Sequence, residues 1–245
     1  MIDIRDVHKS FGGNHVLRGV NLQVAEGLTT VIIGASGSGK SVLMKHMIGL
    51  LRPDTGRVIV DGVDTASISQ RELTRVRSKF GMVFQGAALF DSMSVGENVA
   101  FPLRQHRRLR EAEIRRIVAE KLKVVDLEGV EEIFPAELSG GMRKRVGLAR
   151  AVVLDPRIIL YDEPTTGLDP ITANSVDEMI INAQERLGVT SVVISHDIAS
   201  SFRVGDRVAM IHEGVIVDQG PPEKLRHSEH PYVQKFLSTW FAKGE

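Results

Sequence analysis

Short runs of β-branched and aliphatic residues recur at 30–33, 58–60, 80–84, 158–161, 191–194, 208–211 and 215–217. Glycine and other turn residues bound most of them, so each predicts a strand. Between the runs the apolar positions take helical spacing. Val42, Leu43, Met47 and Leu50 follow one glycine-rich turn, and Val176, Met179, Ile180 and Ala183 follow a later one. Strands alternating with helices predict an α/β domain with a mainly parallel sheet. From Gly86 to Leu154 strand runs become scarce. Ile114, Ile117, Val118, Leu122 and Val125 recur at helical spacing with Arg and Glu on the other face, and Met142, Val146, Ala149 and Val153 form a second stripe. The pattern predicts one domain in pieces: a core at 1–86 and 155–220, a helical insertion at 87–154, and a tail at 221–245. Pro221 and Pro222 open that tail, which is expected to add short helices ending in Phe236, Leu237 and Trp240.

The 245 residues are 42% hydrophobic and 25% charged, enough to bury a core and unlike a disordered chain. Lys and Arg number 31, as do Asp and Glu, so the formal charge is zero. That excludes a polybasic coat for nucleic acid, and no nucleic-acid partner is expected. Cysteine is absent, which removes disulfides, thiolate zinc sites and a cysteine nucleophile. The start, MIDIRDVHKSF, has no apolar signal core, and no apolar run approaches the roughly 20 residues of a membrane span. A soluble, intracellular chain is expected.

The sharpest motif is GASGSGKS: Gly34, Ala35, Ser36, Gly37, Ser38, Gly39, Lys40 and Ser41, with Val42 next in the helix that follows. It matches G-x-x-x-x-G-K-[ST], which chance produces in roughly one chain in a hundred of this length. The loop follows a predicted strand and opens a predicted helix. Glycines let backbone N–H groups turn inward around phosphate oxygens, and the helix N-terminus adds partial positive charge. Lys40 is placed to neutralise β- and γ-phosphates, and Ser41 to offer an oxygen to Mg²⁺. Against an unrelated glycine turn, the context favours a nucleotide site.

A second element is expected to hold the metal. The apolar run at 158–161 ends in Asp162 and Glu163. Asp162 suits Mg²⁺, directly or through water. Glu163 lies on the opposite side of an extended strand or in the turn after it, and suits a water-polarising base. Alone, this pair reads as a solvated acidic turn; beside the phosphate loop it reads as catalytic.

LSGGM at 138–142, followed by RKRVGLARA at 143–151, resembles the signature of the ATP-binding cassette (ABC) ATPases, usually LSGGQ. Seven elements stand in the family order over about 2–220: Phe11, the phosphate loop, Gln85, the signature, Asp162 with Glu163, the Gly167-Leu168-Asp169 run, and His196. The resemblance implies the fold of a P-loop NTPase cassette: a RecA-like core, an inserted helical subdomain and antiparallel β elements near the N-terminus. It implies a Mg²⁺-dependent ATPase, with ATP and Mg²⁺ as cofactors. Phe11, where the family more often has Tyr, would stack on adenine. Gln85 would sense the metal and the attacking water. Ser139, Gly140 and Gly141 would offer a hydroxyl and N–H groups to the γ-phosphate of nucleotide held by an opposite subunit, so a homodimer, or pairing with a second cassette, is implied, with Asp169 at that interface. His196 would hydrogen-bond the γ-phosphate and Glu163.

Chromosome-maintenance relatives separate the nucleotide motifs by long coiled coils, and translation-factor relatives carry two cassettes. About 120 residues intervene here and there is one cassette. A transporter subunit is therefore implied, docked as a peripheral protein on a transmembrane permease at the cytoplasmic face of the inner membrane. Met142 in place of the signature glutamine, FQGAALFDSMSVGENVAFPL at 84–103, and DEPTTGLDPITANSVDEMI at 162–180 are similar to the ATPases of Mla/Mce-type phospholipid transporters. Those systems imply phospholipid as cargo, a small regulatory subunit and a lipid-binding subunit. The alternative is a polar amino-acid importer, whose signature usually reads LSGGQQQRV. Leu89, Phe90 and Met93 are the candidate permease dock, against a plain subdomain-core reading. Arg104, Arg107, Arg108, Arg110, Arg115 and Arg116 read as a solvated helix face, with a permease or lipid headgroup as the rival partner. His227 and His230 read as a solvated tail rather than a metal pair.

Overall fold

The chain begins with a long antiparallel hairpin, β1 (Ile2–Phe11) and β2 (Asn14–Val24). Gly12 and Gly13 turn it with φ of +54° and +84°, the left-handed pair that a two-residue hairpin turn requires. The register slips between Ile4 and Val7, between Val7 and His8, and between Lys9 and Ser10. Such bulges break the two-residue alternation, which is why neither strand stands among the apolar runs of the sequence. Five wholly buried residues follow as β3 (Thr29–Ile33), then α1 (Lys40–Met47). Leu43, Met44 and Met47 face inward from α1, but the helix stops before Leu50, which is 56% exposed. That corrects the stripe expected from spacing. Gly49 at φ +64° ends the helix, and a Cβ there would lie 2.5 Å from Leu73 Cδ1.

The strands β4 (Thr55–Val60) and β5 (Val63–Asp64) extend the first sheet to the order β2-β1-β4-β5. Helix α2 (Gln70–Arg77) closes this stretch. Its Arg77 donates to the Ile48 and Gly49 carbonyls at 3.1 and 2.7 Å, capping the end of α1 with positive charge.

The next segment pairs β6 (Phe80–Val83) in parallel with β7 (Ile158–Asp162), and places helices between them in sequence. These are α3 (Val95–His106), α4 (Glu111–Val124) and α5 (Gly140–Val152). A capping box starts α3: Ser94 Oγ accepts from Glu97 N, and Glu97 Oε2 accepts from Ser94 N at 2.8 Å. Ile114, Val118 and Leu122 are buried along α4, each contributing about 1.5–3 kcal/mol of apolar burial. Gly81 lets α5 close onto β6, since a Cβ there would stand 2.5 Å from the Ala151 carbonyl oxygen. Helix α6 (Pro170–Leu187) follows, with Val176, Met179, Ile180 and Ala183 buried.

The chain returns through β8 (Thr190–Ser195), α7 (Ile198–Val204), β9 (Arg207–His212) and β10 (Val215–Gly220). Strand β3 lies between β8 and β9, parallel to both, and β10 runs antiparallel to β9. The tail forms α8 (Pro222–Arg226) and α9 (Pro231–Phe241), with Leu225, Val233 and Leu237 buried. This computed structural model describes residues 1–241; the side chains of 239–241, Trp240 among them, and residues 242–245 lie outside the described residues.

The fold comprises two compact units, Met1–Arg77 with the chain from Thr190 onward, and Ser78–Val189. Among the described residues no helix is long and apolar enough to cross a membrane.

Candidate functional site: two sets of strand-end loops

In the first unit the phosphate loop joins β3 to α1. Gly34 is packed so tightly that a Cβ would stand 2.3 Å from the Ile211 carbonyl oxygen. Gly37 and Gly39 take φ of +78° and +105°, and no side chain caps α1. The loop therefore ends in a helix N-terminus whose amide dipoles suit an anion. Lys40 is only 7% exposed, and its ammonium donates to the Gly34 and Ala35 carbonyls at 2.7 and 3.0 Å. Its charge is thus folded over the hollow of the loop. The buried Ser38 hydroxyl has no hydrogen-bond partner among the described residues, while Ser41 is exposed at the head of α1.

The parallel ladder brings His196 to the same end of the sheet. Ile33 pairs with Ser195, so Gly34 and His196 each begin one residue beyond a matched pair. Loops beyond the carboxyl ends of parallel strands are where α/β sheets bind ligands. Phe11 ends β1 and is half-exposed, with the Lys9 ammonium 5.5 Å from its ring centroid. Lys9 is held in turn by Asp54 at 2.6 Å, which keeps the Asp54 carboxyl below its ordinary pKa.

In the second unit the same strand-end logic brings Gln85 beside the acidic pair. Val83 pairs with Tyr161, so Gln85 and Glu163 both lie two residues beyond it and Asp162 one residue beyond. Asp162 closes β7, whereas Glu163 sits in the following turn at φ +50°. Of the two placements open from sequence, the turn is the one observed. Thr166 donates its hydroxyl to Glu163 Oε2 at 3.0 Å.

Signature and aspartate loop also meet within this unit. Ser139 caps α5, its Oγ accepting from Met142 N at 3.2 Å. A Cβ on Gly140 or Gly141 would stand 3.6 Å from Leu168 or 3.4 Å from Thr172. The two segments share an open hollow of about 540 Å³, bordered by Ser139, Gly140, Gly141, Leu168 and Asp169. Asp169 caps α6, accepting from Ile171 N and Thr172 N at 3.0 Å and from the Thr172 hydroxyl at 2.5 Å. The Thr172 hydroxyl, followed by those amides, holds the Asp169 carboxyl below its ordinary pKa.

An apolar groove of about 490 Å³ runs beside Phe84, Phe90, Phe101, Pro102 and Arg150. Phe90 lines it, 42% exposed and 4.9 Å from the Phe101 ring, but Leu89 and Met93 do not. Asn98 explains the difference. Fully buried, it accepts from Phe90 N and donates to the Phe90, Met93 and Ser94 carbonyls, winding residues 90–94 around itself. Neither Asn98 nor Thr166 is legible in the sequence, because a polar residue that holds a turn or a neighbouring side chain carries no motif of its own. In the arginine cluster, Arg104 pairs with Glu111 at 2.9 Å and Arg116 with Glu120 at 2.6 Å. Among the described residues no three His, Cys, Asp or Glu gather as a metal cluster; His227 is exposed, whereas His230 is half-buried with its Nδ1 out of solvent, which corrects the solvated-tail reading for that residue.

The sequence matches the family described as ABC transporter over residues 17–166. It is 44% identical over 237 residues to a Mycobacterium leprae protein named probable ribonucleotide transport ATP-binding protein mkl, covering 97% of this chain and 68% of that one. The chain spans about two thirds of the length of the mycobacterial relatives it matches. It is 41% identical over 245 residues to the intermembrane phospholipid transport system ATP-binding protein MlaF of Haemophilus influenzae, covering 100% and 91% respectively. A dimeric post-hydrolysis structure of the ATP-binding cassette MJ0796, bound to ADP and Pi, shares the fold at TM-score 0.80 and 33% identity, over 91% of this chain and 99% of that one. Phosphate loop, signature, acidic strand end and these matches agree: the chain belongs to the ABC transporter family, as its nucleotide-binding, ATP-hydrolysing cassette.

Proposed function

We propose that this ATPase works as a homodimer docked on a transmembrane permease at the cytoplasmic face of the inner membrane, driving phospholipid between membranes. The observation that carries the cargo is the likeness to a phospholipid-transport ATPase along 245 residues and 91% of that relative. The segments at 84–103 and 162–180 support it. A small regulatory subunit and a lipid-binding subunit complete the proposed assembly.

For hydrolysis we assign these roles. Lys40 and the amides of 34–42 bind the β- and γ-phosphates, and Phe11 stacks on adenine. Each unit by itself offers oxygen donors that suit Mg²⁺: the exposed Ser41 hydroxyl in the first, and the half-buried Asp162 carboxylate with the exposed Gln85 amide in the second. When bound, the ion neutralises phosphate charge and fixes phosphate geometry. Glu163 accepts the proton of the water whose oxygen attacks the γ-phosphorus, while the bond to the bridging oxygen of ADP breaks. His196 holds the γ-phosphate. Ser139, Gly140 and Gly141 serve nucleotide on the partner copy, with Asp169 at that interface. One phosphate loop and one signature per chain support two shared nucleotides per dimer, and the MJ0796 cassette is itself dimeric.

A second reading is ribonucleotide as cargo, favoured by the name of the mycobacterial relative at 44% identity. The tagged chain, purified with its membrane subunits and reconstituted in vesicles, separates the two. ATP-dependent movement of labelled phospholipid supports the first. Movement of ribonucleotide, or of polar amino acids, without phospholipid replaces it.

A further inference from the structure

Lys144, Gly147 and Arg150 recur every three residues on α5 and share one stripe of the helix. All three meet one short segment, 85–88. Lys144 is 5% exposed and donates its ammonium to the Gln85 carbonyl. Gly147 admits Ala87, for a Cβ there would already stand 3.3 Å from Ala87 Cβ. Arg150 donates one guanidinium nitrogen to the Ala87 carbonyl at 2.6 Å and the other to the Ala88 carbonyl at 2.8 Å.

The gripped segment is strained. Ala87 and Ala88 stand consecutively at φ +61° and +48°, a conformation alanine disfavours and that surroundings must impose. The Arg150 fork on both alanine carbonyls, the Lys144 ammonium on Gln85 just before them and a close helix face supply that constraint. The stripe also reaches further along the chain, because the Arg150 guanidinium lies 5.8 Å from the Phe90 ring centroid at the apolar groove. Burial lowers the pKa of both Lys144 and Arg150, as expected for cations drawn out of water to serve backbone carbonyls.

We infer that Lys144 and Arg150 are positioning residues for ATP hydrolysis: through this stripe, α5 fixes the backbone of Gln85 and Ala88, so that displacement of the signature turn at its N-terminus is handed to Gln85 and to the Phe90 groove. The inference rests on the role proposed for Gln85. A rigid helix is a suitable carrier, since its ends move together while the loop it grips has no regular structure of its own.

The chain has no cysteine, so Leu89→Cys carries a single nitroxide label beside the gripped segment. The tagged full chain is purified with its membrane subunits, and label mobility, kcat and KM for ATP are read together. Lys144→Met is expected to loosen the label and lower kcat about ten- to a hundredfold, the cost of a misplaced catalytic group, with KM unchanged. Lys144→Arg keeps a cationic donor and is expected to restore both. Should Lys144→Met fold poorly, Arg150→Lys, which loses the fork, is read in the same way. An unmoved label, a loosened label with wild-type kcat, or a fall in kcat matched by a rise in KM and a lower unfolding temperature each overturns the inference. Gln85→Ala with undiminished kcat would instead remove the catalytic reading of Gln85, which the label on Lys144→Met does not test.

Discussion

Thr166 donates its hydroxyl to the Glu163 carboxylate at 3.0 Å, tying the proposed base to the turn that carries it. Glu163 stands at φ +50°, a conformation that costs energy for any residue with a side chain and is found at functional positions. Glu163→Gln keeps the shape and one acceptor but takes no proton. Its kcat is expected to fall about 10²–10⁴-fold, with ATP bound and retained. Light scattering with Mg-ATP should then show a persistent dimer; unchanged turnover with no ATP-dependent dimer would remove both the base and the shared nucleotides.

Lys40→Ala takes away the ammonium now lying on the Gly34 and Ala35 carbonyls. Nucleotide binding measured by calorimetry, and hydrolysis with it, are expected to be lost while circular dichroism stays that of the wild type. Hydrolysis at the wild-type rate would end the assignment of the loop.

Gly34→Ala tests a steric claim. The added methyl would stand 2.3 Å from a carbonyl of β9, a strand paired with β3 itself, so neither backbone can yield freely. Overpacking of about 1–3 kcal/mol or more is expected. It should appear as a lower thermal midpoint, and a wild-type midpoint would show that the strands part more readily than their pairing implies.

Phe90→Ala separates docking from core packing. Phe90 is 42% exposed, so its loss should leave the unfolding midpoint near the wild type. Co-purification with the permease should fail, and permease stimulation with it. A stability loss of about 3–5 kcal/mol, as for a core phenylalanine, would assign Phe90 to the core instead.

Asp169 gives a pH dependence. Its folded pKa is held below the ordinary carboxylate value, so the stabilisation is present above the unfolded pKa and is lost as pH falls through the folded one. Asp169→Asn keeps an oxygen for the α6 amides but does not titrate. The wild type should unfold at higher temperature at neutral pH, and the two midpoints should converge on acidification. A gap that is independent of pH would sink the assignment.

Motifs that rest on local backbone chemistry are legible in the residues alone. The loop at 34–41, the acidic pair after 158–161, and the serine and glycines opening α5 each need particular residues at fixed spacing, so their residues announce them. Buried parallel strands were equally legible as apolar runs. The hairpin of β1 and β2 was not, because its bulges shift the alternation, and Leu50 continued a periodic stripe past the glycine that ends its helix. Which loops are neighbours is set by tertiary structure alone. Pairing of Ile33 with Ser195 puts His196 beside the phosphate loop, and pairing of Val83 with Tyr161 puts Gln85 beside Glu163. It alone revealed Lys144 and Arg150, since they bind backbone carbonyls, which every residue carries and no side-chain pattern can mark.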